Sequence, residues 1–140
     1  MKVFLLGFLL IFLPAVFGMF AGTLDGILHR NEDECIERSR ASYSEIEQVR
    51  LTQEIPENDQ MKEFAKCMME KFNVMDNSGS VNQNIQSYGI PSDVPNVFVD
   101  VANKCKTERG SNSGETARKI MSCFIKNNQI VMGIARNPKA

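Results

Sequence analysis

Four cysteines constrain this chain more than any other feature. Cys35, Cys67, Cys105 and Cys123 all lie behind an apolar leader, and there are no others. An even count in a small chain bound for an oxidising compartment reads as two disulfides. Zinc is the rival use, but the spacings are too wide for the paired C-x-x-C ligation of structural sites. Four cysteines allow three pairings, and spacing alone leaves all three open.

The leader supplies the compartment. Met1-Lys2 precedes a continuous apolar run from Val3 to Phe17, with small residues after it. A positive start, an apolar centre and small residues describe a secretory signal peptide. Val16 and Gly18 suit the −3 and −1 positions, giving a signal over residues 1–18; cleavage after Ala21 is the second option. A retained anchor is the competing reading, but Pro14 interrupts the run, which falls short of the ~20 residues a span needs. The expectation is a secreted, extracellular protein without stable membrane insertion, its domain covering 19–140.

A mature chain of about 120 residues can build one domain with a real core. Without Lys2 it carries 15 basic and 17 acidic residues, a formal charge of −2. No basic stripe is present, which argues against nucleic acid or an anionic membrane surface.

The apolar pattern is helical. Between Asn58 and Asp76, residues Met61, Phe64, Ala65, Met68, Met69 and Phe72 recur at helical spacing, with Asn58 placed to cap. A first helix runs from Leu24 past Cys35 to about Ser39. Ser44 and Glu47 form a capping-box pattern for a second helix that carries Ile46 and Val49 inward. Ser80 opens a short fourth helix over Val81–Tyr88. Ser92 and Pro95 open a fifth, with Val94, Val97, Phe98, Val101, Ala102 and Cys105 on one face and Gly110 stopping it after Arg109. Ser113 caps a sixth, with Ala117, Ile120, Met121, Phe124 and Ile125 inward. No segment alternates like a strand, so the fold class is all-α with six short helices. The tail, 127–140, is apolar at Ile130, Val131, Met132 and Ile134, and is expected to pack back onto the domain. Asn137 to Ala140 reads as loose.

Catalytic chemistry finds no footing. His29 is the only histidine, read as a lone surface residue, and no nucleophile elbow accompanies it. Glu32-Asp33-Glu34 reads as a solvated helix face. There is no phosphate loop, calcium loop or HExxH. The reading is no enzyme, no cofactor and no metal. Nine phenylalanines and eight methionines read first as an ordinary close-packed core, with the wall of a cavity as the alternative that periodicity does not settle.

The cysteine spacing carries a resemblance. There are 31 residues between Cys35 and Cys67, 37 between Cys67 and Cys105, and 17 between Cys105 and Cys123. With the leader, the K-C-M-M-E-K-F run at Lys66–Phe72 and Val74-Met75-Asp76, this resembles the insect odorant-binding proteins, small secreted six-helix carriers with six cysteines. Their second cysteine stands four positions before the third, here Glu63. Their fifth stands midway between the fourth and sixth, here Gly114. Losing both together resembles the four-cysteine Minus-C subgroup.

That resemblance implies disulfides Cys35–Cys67 and Cys105–Cys123, without the third that would join helices three and six. It implies a carrier of small hydrophobic molecules such as odorants, pheromones or related semiochemicals. The implied pocket is lined by Leu28, Val49, Phe64, Met68, Phe72, Met75, Tyr88, Ile90, Phe98, Val101, Ile120 and Phe124, with the Tyr88 hydroxyl free for a ligand carbonyl or alcohol. Ile130, Val131, Met132 and Ile134 are the candidate lid. An olfactory receptor is a candidate partner, and the protein is expected as a monomer or weak homodimer. The alternative is a secreted interaction, signalling or venom protein that uses the same scaffold without a small ligand.

Overall fold

The computed structural model describes residues 24–92 and 94–133. The signal-peptide reading, Ile134 and the loose end at Asn137–Ala140 lie outside them. Among the described residues there are five α-helices: α1 over 24–39, α2 Tyr43–Thr52, α3 Asp59–Lys71, α4 Pro95–Cys105 and α5 Ser113–Lys126. The fold is all-α. Among the described residues there is no strand, only an isolated antiparallel bridge between Met75 and Val81.

The central pair is α3 and α5, each amphipathic. In α3, Met61, Phe64, Ala65, Cys67, Met68 and Met69 are buried; in α5 the buried set includes Ala117, Ile120, Met121 and Phe124. Asn58 caps α3 as expected, its side chain accepting the Met61 amide at 2.9 Å. The Cys35–Cys67 disulfide ties α1 to α3, and Cys105–Cys123 ties α4 to α5, each with Cα atoms 5.5 Å apart. Loops of this size stabilise by about 3–4 kcal/mol each on the loop-entropy model.

The helix starts differ from the sequence expectation in instructive ways. The second helix begins two residues earlier, because Arg40 turns the chain at φ 61 and leaves Ser42 extended to cap it. Ser42 and Glu45, rather than Ser44 and Glu47, form the capping box. Helix α5 is capped by Asn112 instead of Ser113. Val94, not Ser92, precedes α4, with no side-chain cap; the Ser92 hydroxyl donates to the Val94 carbonyl.

The expected fourth helix is absent. Residues 81–88 hold only a 3₁₀ turn, Ile85–Ser87. Its side chains outcompete the helical ladder. Asn82 donates to the Asn73 carbonyl and the Ser87 hydroxyl, while the Asn84 side chain accepts the Gln86 amide. Ser80 does not cap a helix; its amide donates to Asp76, whose carboxylate also takes the Ser78 amide and hydroxyl. Helix α4 ends at Cys105 rather than Arg109. The Thr107 hydroxyl and the Arg109 guanidinium take the last-turn carbonyls of Lys104 and Lys106.

Candidate ligand-binding core

Ten of the twelve residues expected to line a pocket are buried, and all twelve share one apolar cluster. Phe64, Met68, Val49, Ile120 and Phe124 have no solvent exposure; Leu28, Phe72, Met75, Tyr88 and Ile90 are buried. Phe98 and Val101 are partly buried and pack against it. Each helix contributes: Leu28 from α1, Val49 from α2, Phe64 and Met68 from α3, Phe98 and Val101 from α4, Ile120 and Phe124 from α5. Phe98 stacks on Phe124 with centroids 6.5 Å apart and planes 12° apart. The irregular 72–90 stretch closes one end, where the Gly89 amide donates to the Phe72 carbonyl at 2.8 Å.

Tyr88 departs from its expected role. Its hydroxyl donates to the Asn82 carbonyl at 2.5 Å, so its proton serves the loop. Burial raises its pKa above the ordinary phenol value.

The tail reaches the cluster. Val131 is 1% exposed and belongs to it, while Met132 packs against it and Ile130 is largely exposed. Beyond them Gly133 is held by the buried Glu32 and the half-buried Arg50. Its amide donates to Glu32 Oε2 at 2.6 Å, and its carbonyl accepts from Arg50 Nε at 3.1 Å. Arg50 also pairs with Glu32 and with Glu47. Glu32 is 2% exposed, which overturns its reading as part of a solvated face. His29 is three-quarters or more covered and lies 3.3 Å from Asp25 and 3.7 Å from Glu32, so it is no lone surface residue.

Three depressions stand out on the surface of the described residues. One of about 260 Å³ is rimmed by Val94, Val97 and Ile130, all exposed, together with Pro91, Ser92 and 127–129. A second, about 300 Å³, lies where Asp59, Lys62 and Glu63 of α3 meet Asn112, Ser113 and Gly114. The largest of these three, about 530 Å³, runs along the outer face of α5. None of the twelve core residues lines any of the three. No His, Cys, Asp or Glu group among the described residues is set to hold a metal ion. No helix among them is long and apolar enough to cross a membrane.

A family model, described as the PBP/GOBP family, matches residues 23–127. The chain belongs to the PBP/GOBP family. Among curated relatives, it is similar to general odorant-binding protein 69a of Drosophila melanogaster, 21% identical over 91 residues. That match spans 65% of this chain and 62% of the relative's length. Among solved structures, it resembles Odorant Binding Protein 7 from Anopheles gambiae, determined with four disulfide bridges and in complex with an azo compound. The TM-score is 0.60 at 22% identity, covering 73% of this chain and 83% of that one. The PBP/GOBP fold is thus built here around two disulfides, and Glu63 and Gly114, the positions expected for a third, line the same depression.

Proposed function

We propose that this chain is a secreted, non-enzymatic carrier that binds small hydrophobic molecules, of the odorant, pheromone or semiochemical kind, within its helical core. One observation carries the reading. Residues from all five helices meet in a single buried cluster rich in methionine and phenylalanine, and the C-terminal segment is laid over it. Methionine side chains adapt to irregular shapes, so such a cluster can repack around a guest. Membership of the PBP/GOBP family and an odorant-binding relative support the same reading.

The cluster is closed, so binding requires it to open. The exposed Val94, Val97 and Ile130 ring the depression of about 260 Å³, and Phe98 follows Val97 toward Phe124. A ligand would enter there by displacing Phe98 or the segment 130–133. A pocket of ~300–1,000 Å³ lined mostly by apolar groups buries a ligand of this class, and such burial gives micromolar affinity after association costs.

Displacement of a fluorescent apolar probe tests this. The carrier takes up the probe at micromolar concentration, and medium-chain alcohols or esters release it. No uptake would overturn the carrier reading and favour a scaffold that binds a macromolecular partner.

A further inference from the structure

Ser122, which lines the groove along α5, carries an unsatisfied atom just beneath the groove surface. Ser122 is 7% exposed, and its hydroxyl is buried without a hydrogen-bond partner among the described residues. A helical serine has a ready acceptor in the carbonyl four residues back. Ser122 does not take it, and a buried hydroxyl left unpaired is unfavourable. It lines a groove of about 530 Å³, which also receives Glu54 from the α2–α3 connection and Lys104 and Glu108 from the end of α4.

The charges of this groove do not cancel. Arg118 is engaged by Glu115 and by the Ile55 carbonyl, and Lys126 pairs with Glu54. Lys119 donates to the Arg109 carbonyl at 3.1 Å and acts electrostatically on Glu115, while the Lys104 ammonium takes part in no hydrogen bond or ion pair among the described residues. Four cations, Lys104, Arg118, Lys119 and Lys126, therefore stand against three carboxylates, Glu54, Glu108 and the adjoining Glu115. One net positive charge and one unpartnered hydroxyl remain, in a protein whose formal charge is −1.

We infer that this groove is a second binding site, for a small organic monocarboxylate met by the Ser122 hydroxyl and the Lys104 ammonium. The charge left over is one, which suits a monoanion. The volume far exceeds a bare inorganic anion, and the lysine stems offer apolar cover for an organic body. Lys126 lies one turn beyond Ser122, and its pair with Glu54 is about half exposed on both sides. Such a pair contributes little, so it opens cheaply to admit the ligand. The site is separate from the buried cluster and stands whether or not that cluster carries a ligand.

The test is an NMR titration of the intact protein at constant pH and ionic strength with sodium benzoate, benzyl alcohol and inorganic phosphate. Benzoate should shift the amides of 104–108 and 118–127 saturably, with a Kd of about 1 mM or tighter. Benzyl alcohol and phosphate should not. Ser122→Ala and Lys104→Gln should each weaken benzoate about fivefold or more, while both variants still take up the apolar probe of the core as the parent does. Equal shifts with benzyl alcohol, equal saturation by phosphate, shifts confined to core residues, or unchanged affinity in both variants would overturn the assignment. So would the absence of any saturable shift, the result expected if the groove holds only water.

Discussion

The backbone amide of Gly133 donates to Glu32 Oε2 at 2.6 Å, although the two stand 101 positions apart in sequence. Arg50 completes the arrangement by pairing with Glu32 and donating to the Gly133 carbonyl. Both polar groups of one tail residue are therefore gripped by one ion pair, of the buried Glu32 and the half-buried Arg50. Replacing Glu32 by Gln keeps the shape and removes the charge. The expected outcome is a loss of about 1–3 kcal/mol in denaturant unfolding and faster amide exchange at Val131–Gly133. Parent-like protection of those amides in the variant would show that the grip does not hold the tail.

Truncation after Lys126 removes Val131 from the core cluster along with Met132 and the Gly133 contacts. If the segment covers the entrance, ligand dissociation should accelerate severalfold, read by stopped-flow release of the apolar probe. Identical affinity and off-rate in the truncated protein would count against the lid.

Glu115 offers a prediction in pH. It is 6% exposed, receives Arg118 Nε at 3.0 Å, and lies 3.6 Å from Lys62 Nζ. The Arg118 hydrogen bonds, opposed by burial, hold its carboxyl below the ordinary glutamate value. The unfolded chain thus takes up the proton first as pH falls. The stabilisation is complete above the ordinary carboxylate pKa and is lost as pH drops through it toward the lowered folded value. Urea midpoints measured from pH 7 down to pH 3 should fall more steeply for the parent than for Glu115→Gln, which lacks this titration.

The helical frame was legible because burial along α3, α4 and α5 repeats at the helical period, and Met61, Phe64 and Met68 announce their face locally. Glu32 was not, since its partners Arg50 and Gly133 come from distant segments, while its neighbours Asp33 and Glu34 are what a solvated face looks like. The stretch 81–88 misled for a different reason. Ile85 and Tyr88 have helical spacing, but the side-chain amides of Asn82 and Asn84 satisfy the backbone without a helix. Ser122 left no trace in the pattern, because only the surrounding packing decides whether a serine finds a partner.

The site expected for a third disulfide can be restored. Glu63 and Gly114 share a depression between the starts of α3 and α5, and a Cβ at Gly114 would lie 3.1 Å from Lys62 Cβ. Lys62 must therefore yield by a few tenths of an ångström. Glu63→Cys with Gly114→Cys should form the bridge on oxidation, stabilise by about 2–4 kcal/mol, and narrow the range of ligands bound. A bridge that forms without changing ligand range or amide exchange would show that α3 and α5 do not move apart during binding.

The two disulfides are successive along the chain, closing 35–67 and then 105–123 without crossing or nesting. Between the helices up to Cys67 and those from Cys105 onward, the main chain is the sole covalent link. A single nick in the turn around Asn77-Ser78-Gly79 would leave two separately stapled pieces, α1–α3 and α4–α5, bound only by non-covalent packing, chiefly that of α3 on α5. The same seam holds Phe64, Met68, Ile120 and Phe124. In this protein, the cohesion of the halves and the accommodation of a guest therefore draw on one surface, and a tightly bound guest should act as glue between them.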